Sequence, residues 1–379
     1  MDFGFTEQET MIRDSVRRYA EAELLPHYKR WDRTGEFLDR PFIDKLVATG
    51  LLNLRLPEKF GGQGASFVEC GIVCEEIGRC DHQIRYIVSN AIHIGEMAGS
   101  LHPELQEEWI PRIAKGEMMS LAFTEPGGGA DAGNIRSKAT KDGDYWIING
   151  EKTSITFSDV SKVVFMTART GGPGPRGLSF FCIPTDTPGV KVKAFERMGQ
   201  RLDRGGSMFF DDVRIPDANR LPEVQSLKGP LSCLNEARYG IVWGVVGAAR
   251  SCFEAALDYA MTRKQFDEPI ASFQLTQAKL ADMATKVQQG YLLALRLGQL
   301  KDEGRIEPEH ISMGKRANAR MALDVARTAR GILGANGITL EYPVLRHANN
   351  LESVFTYEGT DEIHTLSIGM ALTGIPAFR

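Results

Sequence analysis

"SKATKDGDYWIINGEKTSIT", residues 137–156, decides how the 379-residue chain divides. Short alternating runs are joined there by Lys141-Asp142-Gly143-Asp144 and by Asn149-Gly150-Glu151-Lys152. Asp-Gly and Asn-Gly are hairpin signals, because both tolerate the left-handed backbone that a tight turn demands. "SKVVFMTART", "GLSFFCIP", "GVKVKAF" and "GSMFFDDVRIP" continue the strand pattern, with "GGPGPRG" as a loop between them. Residues 118–222 therefore read as a compact middle antiparallel β-domain.

Helical spacing lies on both sides. In 1–117, "EQETMIRDSVRRYAEAELLPHYKRW" repeats apolar residues at Met11, Ile12, Val16, Tyr19, Ala20 and Leu24. "PFIDKLVATG" opens on Pro and closes on Gly, and "SFVECGIVCEEIGR" and "PELQEEWIPRIAKG" read as further helices. In 223–379, "LSCLNEARYGIVWGVVGAARSCFEAALDYAMTRK", "SFQLTQAKLADMATKVQQGYLLALRLGQLKDEG" and "PEHISMGKRANARMALDVARTARGILGANG" are long enough for an antiparallel bundle. The expected fold is α+β and multi-domain: an N-terminal helical domain, the β-domain and a C-terminal four-helix bundle.

The bulk numbers narrow the function. Hydrophobic residues make up 42% and charged residues 25%, a globular balance. A net charge of −4 with scattered Lys and Arg gives no reason to expect a nucleic-acid partner. No apolar stretch is expected to reach the roughly 20 residues of a membrane span. The six cysteines form no Cys-x-x-Cys pair and only seven His are present, so no metal site is expected and the thiols read as small, buried and reduced. "MDFGFTEQET" has no apolar leader region, so the chain reads as cytoplasmic, although a processed mitochondrial or other organellar protein would look the same.

Four separated segments carry a resemblance. "LAFTEPGGGADAG" (121–133), "RKQF" followed by "FQLTQ" (263–277), "GILGANG" (331–337) and "TYEGTDEIH" (356–364) resemble, in order, motifs of the acyl-CoA dehydrogenase family over essentially the whole chain. "CLNEARYGIVWGVVGAA" and the segment from Arg346 through Phe378 are especially similar to the glutaryl-CoA dehydrogenase branch. The resemblance implies FAD as cofactor, an acyl-CoA substrate, an electron-transferring flavoprotein as oxidant and a homotetramer. Read physically, glycines at 127–129 let backbone N–H groups approach flavin or phosphate oxygens, though a lone Gly-rich loop is more often an ordinary turn. The GxGxxG fingerprint is absent.

By the resemblance, Phe123, Thr124, Gly129 and Ala130 contact the flavin, with Ala130 also near substrate and standing where the family has Ser. Ser154, Ile155 and Thr156 replace a Trp-Ile-Thr segment against the ring. Either another ring fills the space at Ser154, or the site takes a bulkier acyl group. Arg263, Phe266 and Gln274 would meet the pyrophosphate and adenosine portion from the neighbouring subunit, as would Gly331, Leu333, Gly334 and Ala335. Asp267 and Ala335 stand where the family has Gly.

Glu358 is the implied catalytic base, removing the weakly acidic proton alpha to the thioester while FAD takes the beta hydride. A carboxylate raised in pKa by an apolar pocket suits that task, whereas a lone Glu at a helix start otherwise serves the helix dipole. Gly359 lets the backbone approach a ligand, and Thr360 either caps the next helix or meets the flavin. Asp361 and Glu362 are the competing carboxylates, expected on a solvated turn. Leu234, Arg238 and Tyr357 are implied substrate contacts, Arg238 otherwise pairing with Glu236 or another acid. Arg85, with Ser89 one turn later, matches the glutaryl branch's contact to the distal substrate carboxylate; an arginine inside "IRYIV" needs either a protein acid or a substrate acid. Gly78 replaces that branch's glutamate and Tyr86 a small Ser.

The expected function is FAD-dependent α,β-desaturation of an acyl-CoA, glutaryl-like, with or without loss of CO2. One alternative is a dehydrogenase of a cyclic or branched acyl-CoA; another, of a different class, is a non-catalytic acyl-CoA or flavin-binding scaffold.

Overall fold

The computed structural model describes residues 4–36 and 39–377, so Met1–Phe3 of the N-terminal stretch lie outside the described residues. The first helices are α1 (Glu7–Tyr19), α2 (Leu25–Thr34), α3 (Arg40–Ala48), α4 (Phe67–Cys80), α5 (Arg85–Met97) and α6 (Pro103–Ala114). A reciprocal capping box between Ser66 and Glu69 starts α4. Apart from Arg79, every residue of α4 is buried. Its Glu76 carboxylate is met by Arg17 at 2.8 Å and Arg250 at 2.7 Å.

Next come β1 (Met119–Ala122), β2 (Lys138–Asp142), β3 (Tyr145–Ile155), β4 (Val163–Arg169), β5 (Leu178–Pro184), β6 (Val190–Ala194), β7 (Gly206–Pro216) and β8 (Arg220–Gln225). The sheet runs β6-β7-β3-β2-β4-β5-β8, with β1 joining β4. The hairpin expected at Asp142–Asp144 joins β2 to β3, Asp142 facing Tyr145. Asn149-Gly150 does not turn the chain: it lies inside β3, at a register shift against β7. Gly150 there is pressed against Ser137, where a Cβ would fall 2.3 Å from its Oγ. The sheet is antiparallel-rich rather than purely antiparallel, since β1 and β2 both pair with β4 in parallel.

The chain returns to helix in α7 (Lys228–Thr262), α8 (Gln274–Asp302), α9 (Pro308–Ile332), α10 (Val344–Thr356) and α11 (Asp361–Thr373), with a small β9–β10 hairpin (Lys264–Gln265, Glu268–Pro269) between α7 and α8. Contrary to the sequence expectation, Gly229–Thr262 of α7 is long and apolar enough to cross a membrane by length and composition alone. Its most apolar window is 67% buried inside the protein, which accounts for that composition as a central core helix. All six cysteines are buried and none forms a disulfide among the described residues.

Helices α4 and α7 cross at a glycine seam. A Cβ at Gly78 would lie 2.5 Å from the Gly244 carbonyl oxygen, and one at Gly247 2.0 Å from the Glu75 carbonyl oxygen. The loop between β6 and β7 ties the sheet to the helices: Leu202 N donates to the Gln83 amide oxygen Oε1 at 2.6 Å, and Gln200 N to Asn350 Oδ1 at 2.8 Å.

Candidate active site

The turn from α10 into α11 is built from Tyr357, Glu358, Gly359 and Thr360. Glu358 has φ 56 and Gly359 φ 95, so two successive residues take the left-handed region. For a side-chain-bearing residue this costs about 1–2 kcal/mol. A Cβ at Gly359 would fall 2.9 Å from His364 Nε2, so glycine is required twice over. The turn is fastened from two helices. Arg238 Nε on α7 donates to the Glu358 carbonyl at 2.6 Å, and Lys315 Nζ on α9 donates to the Gly359 carbonyl at 2.8 Å. Thr360 takes the capping role, its hydroxyl accepting from Ile363 N at 3.3 Å.

Glu358 Oε2 is buried and has no hydrogen-bond partner. Burial raises this carboxyl above the ordinary range, while Arg238, Lys315 and Arg85 pull it back. The neighbouring acids separate clearly. Asp361 is not on a solvated turn: it is 6% exposed and paired with Arg320, with Arg316 at 3.7 Å. Those arginines hold it below the usual carboxylate range, Arg320 most strongly. Glu362 is exposed.

Arg85, at the start of α5, is wholly buried. Its Nη1 donates to Ser89 Oγ at 3.1 Å and its guanidinium lies 4.5 Å from the centre of the Tyr86 ring. Nε and Nη2 meet no acceptor, and among the described residues no carboxylate pairs with Arg85. Gly240 and Gly244 make room for it: a Cβ at Gly244 would sit 2.3 Å from Arg85 Cδ. Asp81, which precedes α5, is taken by Arg346, and Glu358 feels the Arg85 charge without forming an ion pair with it. Arg238 does not pair with Glu236, which binds Lys301 at 2.7 Å. Leu234, half-buried, lies one helical turn before Arg238.

Tyr357 and Tyr86 face each other with ring centres 5.8 Å apart, and His82 Nε2 lies 3.0 Å from the Tyr357 hydroxyl. Burial, then Arg85, keeps His82 neutral by holding its pKa well below the ordinary value. Tyr86 hydroxyl and Gln200 Nε2 are 3.5 Å apart. The sequence reading missed His82, Gln200, Lys152 and Lys315. Only Lys315 left a signal, since it occupies the buried stripe of α9 with Ile311, Asn318 and Ala322.

On the β-domain, the loop after β1 is organised by a buried ion pair. Lys152 Nζ lies 2.8 Å from Glu125 Oε1 and 3.1 Å from the Phe123 carbonyl. Glu125 also accepts from the backbone N–H groups of Arg136 at 2.6 Å and Ser137 at 2.9 Å. Burial pushes Lys152 down to about 8; at Glu125 burial is outweighed by Lys152 and the N–H donors, and the carboxyl is lowered. Gly127 faces open space, and Gly129 and Ala130 are exposed beside it. Thr153 N donates to the Thr124 carbonyl at 2.8 Å, bringing Ser154–Thr156 alongside the loop. Ser154 is exposed with φ 58, while Ile155 is buried. Open glycine backbone, Phe123, Thr124 and the edge of Ser154–Thr156 together form a cradle that fits a flavin ring.

The second group of residues stands elsewhere. Arg263 caps the far end of α7, about 37 Å along the helix from Arg238. Phe266, 89% exposed, and Asp267 form the β9–β10 turn with φ 52 and 65, which explains the family's glycine at 267. Gln274 opens α8 and is exposed. Gly331, Gly334 and Ala335 are exposed near the same tip, where Asn336 Nδ2 donates to Tyr259 hydroxyl at 3.1 Å. The Leu333 side chain is in the bundle core, leaving only its backbone for a ligand.

This helix–sheet–helix architecture, with a left-handed Glu between two cations, belongs to a known class. Three family models match in order: the acyl-CoA dehydrogenase N-terminal domain at 6–117, middle domain at 120–213 and C-terminal domain at 228–373. The chain belongs to the acyl-CoA dehydrogenase family of flavin-dependent oxidoreductases, and FAD is its cofactor. It is 45% identical to a glutaryl-CoA dehydrogenase of known structure from Mycobacterium smegmatis, with a TM-score of 0.94 over 99% of this chain and 97% of that one. A glutaryl-CoA dehydrogenase from the same organism, solved in complex with FADH2, is 39% identical, with the same TM-score and coverage. Among curated relatives, the probable acyl-CoA dehydrogenase YngJ of Bacillus subtilis is 34% identical, covering 98% of this chain and 100% of its own length.

Proposed function

We propose that this enzyme desaturates, at the alpha and beta carbons, the CoA thioester of a dicarboxylic acyl group of glutaryl type. The observation that carries the reading is Arg85, a wholly buried cation with Nε and Nη2 unsatisfied and no acid of its own. Burying a charge is costly unless it is paired, so a substrate carboxylate is the partner that balances it. Glu358 Oε2, also unpaired, takes the alpha proton; its raised pKa makes it a stronger base than an exposed carboxylate. FAD, when bound in the cradle of Phe123, Thr124, Gly129, Ala130 and Ser154–Thr156, supplies the acceptor for the beta hydride. Leu234, Arg238, Tyr357 and Gly359 hold the acyl-CoA against the base.

The separation of Arg263, Phe266, Gln274 and the 331–335 stretch from that cradle supports a homo-oligomer, a homotetramer in this reading, in which they meet the flavin of another copy. An electron-transferring flavoprotein as oxidant and a cytoplasmic location complete the proposal. Two observations favour a second reading, a cyclic or branched acyl-CoA oxidised without decarboxylation: Ser154 leaves space at the flavin edge, and Gly78 admits no carboxylate side chain against Gly244.

The test is anaerobic incubation of FAD-loaded enzyme with glutaryl-CoA and an artificial electron acceptor, with products read by mass. Crotonyl-CoA and CO2 assign oxidation with decarboxylation. Glutaconyl-CoA assigns oxidation alone. Unchanged glutaryl-CoA with an oxidised flavin overturns the dicarboxylic reading and directs the search to cyclic and branched thioesters.

A further inference from the structure

Lys315 is 1% exposed and comes from the middle of α9, far in sequence from the turn it touches. Its ammonium has the Gly359 carbonyl as hydrogen-bond partner, and among the described residues no carboxylate forms an ion pair with it. A neutral donor would satisfy that carbonyl without the several kcal/mol that desolvating an ammonium costs. The charge is therefore kept against something else nearby, and the acid that most favours it is Glu358, whose Oε2 has no hydrogen-bond partner. Asp361 also favours the ammonium, but its own carboxylate is occupied by Arg320.

We propose that Lys315 is a positioning residue for Glu358: with Arg238 it clamps two consecutive carbonyls of the catalytic turn and presents a positive charge to the base. The proposal rests on the reading of Glu358 as the base. The geometry is a two-point hold. Arg238 fixes the Glu358 carbonyl from α7, and Lys315 fixes the Gly359 carbonyl from α9, so the peptide that aims the Glu358 side chain cannot rotate without breaking one of them. The hold works on a left-handed Glu358, a conformation that relaxes unless its surroundings impose it.

The charge acts with the hold. Glu358 is influenced by Arg238 on α7, Lys315 on α9 and Arg85 on α5. Tyr86, Tyr357 and Cys233 feel its charge in turn, each kept protonated chiefly by burial. His364 on α11 is neutral, held down to about 3 by burial, then by Lys315 and Arg238. Burial raises Glu358 and the cations lower it, so removing one cation lets it climb further. Lys315 itself is pushed by burial down to about 8, with Glu358 opposing. The clamp is thus charged at neutral pH and loses its proton as pH rises through about 8.

The test uses FAD-loaded Lys315→Met, Lys315→Arg and Glu358→Gln. Two readouts are followed against pH: the protonated-carboxyl infrared band that Glu358→Gln removes, and kcat/KM for glutaryl-CoA with ferrocenium as acceptor. Lys315→Met is expected to raise the infrared midpoint and the acid limb of kcat/KM together, by about one pH unit. Lys315→Arg is expected to return the acid limb to its wild-type place and to abolish the fall above pH about 8, because arginine keeps its proton there. A Lys315→Met protein that melts earlier but keeps both midpoints would reduce Lys315 to a structural prop and overturn the proposal while leaving the base intact. Full turnover by Glu358→Gln would instead overturn the base, and the positioning role with it.

Discussion

Lys152 and Arg85 are both cations with no exposed side-chain surface, yet their surroundings differ. Lys152 has a carboxylate at 2.8 Å and a carbonyl at 3.1 Å, and that carboxylate is shared with two backbone N–H donors. Arg85 has one hydroxyl and the face of a ring, with two nitrogens unsatisfied. The first arrangement is closed by the fold and shapes the loop proposed to cradle the flavin. The second stays open within the chain, and on the proposed reading a substrate carboxylate closes it. Burial alone does not distinguish a structural charge from a functional one; the satisfaction of its donors does.

If that contrast is right, removing the closed charge damages the fold and removing the open one damages only the chemistry. Lys152→Met should cost about 3–5 kcal/mol of stability, because Glu125 keeps its two backbone N–H donors but is left buried without a countercharge. Thermal melting should show this together with weakened FAD retention, and adding Glu125→Gln should recover part of the loss. Arg85→Met should do the opposite. Melting temperature should hold or rise, while kcat/KM for glutaryl-CoA falls by about 2–4 kcal/mol of transition-state stabilisation and that for butyryl-CoA stays within a few-fold. A destabilised Arg85→Met, or equal losses on both thioesters, would erase the distinction. The smallest effect is expected far from both charges: Asp267→Gly relieves a left-handed aspartate with φ 65 and should add about 0.5–1 kcal/mol, read by denaturant unfolding.

The legible parts of this molecule were those written in contiguous sequence. The alternation in 137–156 gave away the sheet, and the long periodic runs gave away the bundle. "TYEGTDEIH" contains its own turn, unpaired carboxylate and cap within a few residues. Asn149-Gly150 was misjudged because the same dipeptide that suits a hairpin also suits a bulge, and the neighbouring strand β7 decides between them. Asp361 looked solvated because its partner, Arg320, is 41 residues away. Lys152 was missed because it is ordinary locally; Lys315 stands out in the buried stripe of α9, but both acquire meaning only from a carbonyl or carboxylate delivered by another element. Arg85 stood out because "IRYIV" offers no local acid, but whether an acid comes from elsewhere is a tertiary question.

The glycine seam between α4 and α7 also bears on how this pocket can change over time. At Gly78 and Gly244 the limiting wall is main chain and the Arg85 stem rather than a replaceable side chain. A single substitution there pushes two helices apart and disturbs everything anchored on them, so it is a poor first step toward a new substrate. Positions such as Ser154, which is exposed and away from that helix crossing, carry no such penalty. On the proposed reading, selection for a different acyl group would find its accessible paths beside Ser154, while the α4–α7 seam stays inherited.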